Sequence, residues 1–204
     1  WMRHRQTFAL LEGVLLGPAG TRAADWLRLP GGKHLPPQEK KENGVSALRL
    51  PQISATDPAA REKRLAELLI TEWQKQHSDK AFATPLRCYW QGADAAWQAF
   101  SAQMAVTFPN VSLPLRPEPW QGEASLAAIA SGLEAAKPGD VMLIAGCQTV
   151  VAQPGSPLPA GESAVLWLAG KNGPVQLARG EVFTAETGDM LPAVCARALE
   201  QSEL

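Results

Sequence analysis

Apolar and polar positions alternate along this chain in blocks that predict strands and helices in turn. Residues 7–16 (TFALLEGVLL) are apolar apart from Thr7, Gly13 and Glu12, the texture of a strand covered on both faces and therefore central in a sheet. Gly17-Pro18-Ala19-Gly20 breaks that strand, and Thr21 is placed to cap a short helix running to Trp26. Residues 30–44 combine Pro, Gly and charge with almost no apolar content, which predicts a flexible surface loop. Residues 45–50 (VSALRL) read as a second strand ended by Pro51. Asp57-Pro58 then supplies an N-cap followed by proline at the first helical position. Leu65, Leu68, Leu69 and Trp73 recur at helical spacing behind it, so a helix is predicted over 58–77. Residues 86–90 form a short strand after Pro85. Gly92 opens a helix whose apolar line is Ala93, Trp97, Phe100 and Met104.

Residues 111–121 hold three prolines with Leu113, Leu115 and Trp120 and read as extended and turn-rich. Leu126, Ile129 and Leu133 then define one face of an Ala-rich helix, Pro138-Gly139-Asp140 makes a turn, and residues 141–145 are a continuous apolar strand. A loop over 153–161 leads to two further apolar runs, 164–169 and 175–178. Gly170-Lys171-Asn172-Gly173 between them predicts an antiparallel hairpin. A last helix, 189–201, carries Leu191, Val194, Cys195 and Leu199. The alternation predicts one α/β domain over residues 1–204, a layered sheet with helices on both faces and mixed parallel and antiparallel strands.

Composition narrows what such a domain does. A hydrophobic fraction of 46% in 204 residues suits a chain with a full core. Nineteen Lys and Arg against 20 Asp and Glu leave a net charge of -1, so no global field attracts nucleic acid or an anionic surface. The seven Trp are scattered, as core anchors are, and do not form a stacking row. Cys88, Cys147 and Cys195 are too far apart for a zinc site and odd in number. They read as buried free thiols, pointing to a reducing, cytoplasmic setting. No apolar run approaches the roughly 18 to 20 residues that cross a bilayer. Trp1 followed by Met2-Arg3-His4-Arg5 reads first as an ordinary basic N-terminus; the alternative is a segment just inside a membrane helix, which would place an inner-membrane anchor ahead of it.

Candidate chemistry is sparse. There is no G-x-S-x-G elbow; the nearest stretch is Gly161-Glu162-Ser163-Ala164, where Ser163 enters a strand instead of leaving one. Cys147, at the end of a predicted central strand, is the best candidate thiol. It needs an imidazole or a helix N-terminus to ionise, and His4, His34 and His77 lie in a terminus, a loop and a helix end. The turn over 16–22 stands between a strand and a predicted helix, where main-chain N–H groups can cradle an anion. Its spacing matches neither common glycine-rich phosphate motif, and Gly31-Gly32-Lys33-His34 is only a fragment of one. Glu39, Glu42, Glu67 and Glu72 are interleaved with lysine or apolar residues and read as solvated faces. No residue is assigned to catalysis, to a cofactor or to a metal.

With those residues laid out, the segment 125–168 resembles part of the thiolase and ketoacyl-synthase family. An Ala-rich helix leads into a buried strand ending in small residues, Val141-Met142-Leu143-Ile144-Ala145-Gly146-Cys147. A loop then reaches Gly161-Glu162-Ser163-Ala164-Val165-Leu166-Trp167-Leu168. Active members of that family have two such halves and a Cys with two His, or with a His and an Asn. This chain shows no matching second half and no His in the expected places, and residues 1–121 have no counterpart in the comparison. The resemblance therefore implies a non-catalytic thiolase-like domain. Degenerate domains of that kind look like those of accessory proteins near bacterial type VI secretion systems, including adaptors that load effectors, some of them membrane anchored. The expectation is an adaptor or assembly protein whose partner is a secretion-system component or an effector, with Trp120 as a contact anchor. The alternatives are an acyl-transfer enzyme using Cys147 and a small-anion-binding module using the turn over 17–22.

Overall fold

The longest apolar strand organises the molecule. The structure, a computed structural model, describes residues 8–22, 38–156 and 160–177 and four residues of a helical segment, 192, 193, 195 and 196. Strand β6 (Val141–Val150) is buried on both faces from Val141 to Cys147 and runs five residues past its predicted end. It pairs antiparallel with β7 (Ala160–Gly170), from Val141 opposite Gly170 to Val150 opposite Gly161. On its other edge β6 pairs parallel with β4 (Cys88–Gln91), and β4 in turn with β5 (Glu118–Pro119).

The far edge of β7 is shared by two strands lying end to end. Its first residues, Ala160 and Gly161, pair parallel with β3 (Val45–Leu48), and Ala164 to Gly170 pair antiparallel with β1 (Phe8–Leu16). β2 (Glu39–Glu42) lies outside β3, and β8 (Val175–Leu177) lies outside β1. The described strands form one eight-stranded mixed sheet.

Among the described residues three full helices cover it. In α1 (Pro58–Gln76) the Asp57 carboxylate accepts from Ala60 N at 2.8 Å and Pro58 opens the first turn, as the sequence predicts. Its stripe of Leu65, Ala66, Leu69, Ile70 and Trp73 packs with Trp97, Phe100 and Met104 of α2 (Asp94–Thr107) on one face of the sheet, over Val14, Leu16, Leu143, Cys147 and Leu166. α3 (Glu123–Ala135) sits on the opposite face, where Ile129, Ala130 and Leu133 meet Tyr89, Met142, Ile144 and Phe8. The fold is thus mixed α/β with helices on both faces. Among the described residues no helix is long and apolar enough to cross a membrane.

Several sequence expectations change. The surface loop expected over 30–44 holds β2 in its last part, paired with β3 around a turn at Asn43 and Gly44; residues 23–37 lie outside the described residues. Its Glu-Lys-Lys-Glu sequence hides a strand because nothing in it is apolar, and charge is what an edge strand tolerates. Thr21 and Arg22 lie in a bend, and the rest of the helix expected there is outside the described residues. The hairpin expected between 164–169 and 175–178 is absent: β8 pairs with β1. β1 lies between the two runs, and the chain crosses over it at Gly173, where an added Cβ would stand 3.0 Å from that of Ala9 and 2.6 Å from Leu11 Cδ2. β1 is interior as expected only at Ala9 and Leu10, where β7 and β8 flank it; beyond Leu10 it pairs with β7 alone, and its residues 10–13 and Leu15 are half-buried, not covered on both faces. Cys195 is exposed, not buried, and Leu126 is exposed at the end of the helix face it was expected to share with Ile129 and Leu133.

Candidate functional site

Side chains of a strand alternate between faces, and the register identifies what α3 leaves uncovered on its side of the sheet. One row runs across four strands: Leu15 on β1, Val165 on β7, Gly146 on β6 and Gln91 on β4. The adjacent row holds Gly13, Trp167 and Ile144. On the other side lies the pair Ser163 and Gln148. These residues floor a groove of about 610 Å³, walled by Trp120 and Leu126 near α3 and by Leu10 and Leu177 on the opposite side. Two glycines shape it. A Cβ on Gly13 would stand 2.0 Å from Trp167 Cδ1, so the indole lies over the bare backbone of β1; a Cβ on Gly146 would stand 2.5 Å from the Gln91 carbonyl oxygen, so β4 and β6 approach closely there.

The groove is apolar and uncharged. No Asp, Glu, Lys, Arg or His side chain lines it among the described residues. Trp167 is 39% and Leu126 38% exposed, large areas for apolar side chains that face each other across a concavity. Polarity is confined to Gln91, Gln148 and Ser163 at the end where β4 stops and β6 runs on. All three are exposed, and their side chains have no hydrogen-bond partner among the described residues. Trp120 borders the same end, its main-chain N–H donating to the Trp90 carbonyl at 3.0 Å.

The thiol singled out by the sequence faces the other way. Cys147 borders the groove with its main chain, while its Sγ lies 3.5 Å from the Glu62 carbonyl oxygen at the start of α1, within the core of the opposite face. Burial, with the nearby Glu62 carboxylate, pushes this thiol up to about 12, so it remains protonated at neutral pH, the reverse of what a nucleophile requires. His77 is spent at the end of α1. Its ring stacks on Trp73 at 4.2 Å, Nδ1 lies 3.2 Å from the Trp73 carbonyl, and Nε2 faces Glu12. His4 and His34 lie outside the described residues.

The anion turn is likewise committed elsewhere. Gly17 N–H donates to the Gly20 carbonyl at 3.1 Å and Gly20 N–H to the Gly17 carbonyl at 3.0 Å, so two of the turn's main-chain donors close it on itself. The carboxylates read as solvated do pair with neighbours: Glu67 with Arg64, Glu72 with Lys75, and Glu42 with Arg49. Among the described residues no three His, Cys, Asp or Glu side chains gather as a metal site would require.

A buried pair escaped sequence reasoning. Glu162, inside β7 and not at a strand-opening turn, faces the α1 side at the fork where β3 gives way to β1. It accepts from Leu50 N at 2.7 Å and from Arg61 Nη2 and Nε at 2.6 and 2.7 Å. Arg61 also donates to the carbonyls of Ile53 and Ala55. Every strong group is satisfied, so the pair is a staple for the connection between β3 and α1 and not a reactive centre.

No protein-family model and no curated protein matches this chain. Among solved structures, a chain described as ChlB3, an acyltransferase, is similar at 14% identity with a TM-score of 0.40, over 82% of this chain and 51% of that one. This chain spans about half the length of that neighbour.

Proposed function

We propose that this chain is a non-enzymatic adaptor or assembly domain that works through protein contact, with the open groove as its contact surface. One observation carries the reading: an apolar groove flanked by Trp120 and Trp167, beside which no charged side chain, base or activated nucleophile stands among the described residues. Half-exposed aromatic side chains over an apolar floor are the composition of a binding hot spot. Placement in a bacterial secretion or envelope system of the type VI kind is the part of this proposal supplied by the sequence resemblance to degenerate thiolase-like domains. A secretion-system component or an effector is then the partner.

The test is retention of proteins from native bacterial lysate by the immobilised chain and by its Val165→Arg variant, which places a charge in the middle of the floor. A protein held by the wild type and lost by the variant supports the reading, and its identity decides the secretion-system assignment. Identical retention by both, or none by either, overturns it. The acyl-transfer alternative through Cys147 is tested separately by alkylation: a rate above that of a free thiol at neutral pH would revive it.

A further inference from the structure

We infer that His77 is a proton-operated clasp between α1 and β1, closed on Glu12 when the imidazole is protonated and released when it is neutral. Its operation does not depend on what the groove binds. A β-bulge brings the two residues together. In an unbroken strand the even-numbered residues of β1 would share one face, yet Phe8 and Leu10 pack on the α3 side while Val14 and Leu16 pack under α1. The pairing with β7 slips between Leu10 and Glu12, and the extra residue reverses the alternation from Glu12 onward. Glu12 is thereby turned to the α1 face, with its Oε2 3.7 Å from Nε2 of His77.

The ring sits between two acceptors. Nδ1 lies 3.2 Å from the Trp73 carbonyl oxygen, which can only accept, so Nδ1 carries a hydrogen there. The neutral ring then sets a lone pair on Nε2 opposite the Glu12 carboxylate, and only the imidazolium offers a donor to each side. Two further features favour the positive ring. It closes the last turn of α1, where the helix dipole presents its negative end, and it stacks on the Trp73 indole with ring centroids 4.2 Å apart. The other charges nearby are committed or remote among the described residues. In the turn after α1, Lys80 holds Oε1 of the same carboxylate, with Asp79 beside Lys80. Glu12 therefore keeps a partner when the ring loses its proton, which makes release reversible. Within α1, Lys75 pairs with Glu72, and Gln76 donates to the Thr21 carbonyl, after which Arg22 is exposed. α2 brings only Trp97, Phe100 and Met104 to the core around Trp73. Histidine ordinarily changes charge near pH 6.5, so the clasp closes on mild acidification, and the element it holds is β1 at its bulge.

Nitrogen-15 spectra of the histidine rings of the whole chain, assigned through the signals lost in His77→Gln, read the clasp without disturbing it. At pH 5.5 both His77 ring nitrogens should carry hydrogen, and at pH 8.0 Nδ1 alone. A neutral ring at pH 5.5, or hydrogen on Nε2 in place of Nδ1 at pH 8.0, overturns the inference. The energetic test is a double-mutant cycle of wild type, Glu12→Gln, His77→Gln and the double variant, followed by urea unfolding at both pH values. Carboxylates and lysine ordinarily keep their charge over that range, and the cycle cancels what His4 and His34 contribute. The expected coupling is about two- to fivefold in the unfolding constant at pH 5.5 and is absent at pH 8.0. Equal coupling at the two pH values would show a contact that the proton does not operate, and no coupling at pH 5.5 would show no clasp; either result overturns the inference. Amide exchange at Gly13 and Val14, corrected for intrinsic rates, should be slower at pH 5.5 than at pH 8.0 by about the same factor in wild type and unchanged in His77→Gln. Equal protection of these amides at both pH values in wild type would refute the hold on β1.

Discussion

Replacing Glu162 by Ala tests the fork in the sheet more sharply than any other single change. The carboxylate is wholly buried and Arg61 nearly so. Its hydrogen bond to Glu162 is the main reason the Arg61 pKa lies above its ordinary range, so the guanidinium keeps its charge at every accessible pH. The alanine variant leaves that charge without a counter-ion and leaves Leu50 N without its acceptor. Breaking one partner of a buried pair costs about 3–5 kcal/mol, and an orphaned buried amide about 1–3 kcal/mol. Because the two losses share one site they do not add, and about 4 kcal/mol is expected, against a total stability of about 5–15 kcal/mol for an ordinary domain.

Urea unfolding followed by tryptophan fluorescence and far-ultraviolet circular dichroism reads the effect. With a slope of about 2–3 kcal/mol per molar, the midpoint should fall by about 1.5 M. Glu162→Gln, which keeps the volume and one acceptor, should lose about half as much. The double variant Arg61→Met, Glu162→Leu is the discriminating case, since removing both ions of a buried pair is often neutral. Here Arg61 also satisfies the carbonyls of Ile53 and Ala55, so the double variant should remain about 2–5 kcal/mol less stable than wild type. Recovery to wild-type stability would show that the main-chain ties contribute nothing. A loss below about 1 kcal/mol in Glu162→Ala would refute the buried network itself.

Other outcomes follow from single contacts. Cys195 is exposed, so it should react with a disulfide reagent in the folded protein while Cys88 and Cys147 wait for unfolding, and mass mapping of the labelled thiols checks the order. Burial pushes both of those thiols up to about 12, with Glu118 adding to the shift at Cys88 and Glu62 at Cys147. Their contribution to stability is whole below the ordinary value of 9.0 and is lost as pH rises towards 12; Cys147→Ala should make the alkaline decline of the urea midpoint shallower. The Arg49 hydrogen bond holds the Glu42 carboxyl below its ordinary 4.5, so this pair stabilises above that pH and is lost on acidification, and Arg49→Met should flatten the acid limb. Gly13→Ala should force the Trp167 indole off β1, altering the near-ultraviolet circular dichroism; an unchanged spectrum would contradict the close packing.

What the sequence shows and what it hides divide along local and non-local lines. The start of α1 is written in Asp57 and Pro58, and the core strand β6 in its unbroken apolar run, because caps and burial leave local marks. The neighbours of a strand leave none. Gly170 to Gly173 looks like a hairpin turn whether the next strand folds back on β7 or crosses to the far edge of β1, and only the position of β1 decides. The site divides in the same way. Trp120 stands out in a proline-rich stretch, but Cys147 drew attention for its chemistry and turns out to face α1. The informative signal was the two-residue alternation in β7. Glu162, Ala164 and Leu166 point to one side and Ser163, Val165 and Trp167 to the other, so a polar and an aromatic residue share the part of α3's face that the helix leaves uncovered.

The place of the groove follows from how the chain crosses the sheet. β4 reaches β5 through α2 on one face, and β5 returns over β4 to β6 through α3 on the other. α3 meets Tyr89, Met142 and Ile144 and stops short of Gln91, Gly146 and Gln148, so a crevice is left on its face at the carboxyl ends of β4 and β6. Gln91 ends β4, Trp120 follows β5, and Gly146 to Gln148 carry β6 past them, so all three strands deliver lining residues to that crevice. β1 and β7 extend the floor because the fork at Glu162 lets β1 replace β3 beside β7, bringing Leu15 next to Val165. The buried ion pair and the open groove are thus opposite faces of one topological event. A variant that loosens the fork, such as Glu162→Gln, should weaken binding of the protein partner that Val165→Arg loses, although it touches no lining side chain. Wild-type affinity in that variant would show that the groove stands independently of the fork.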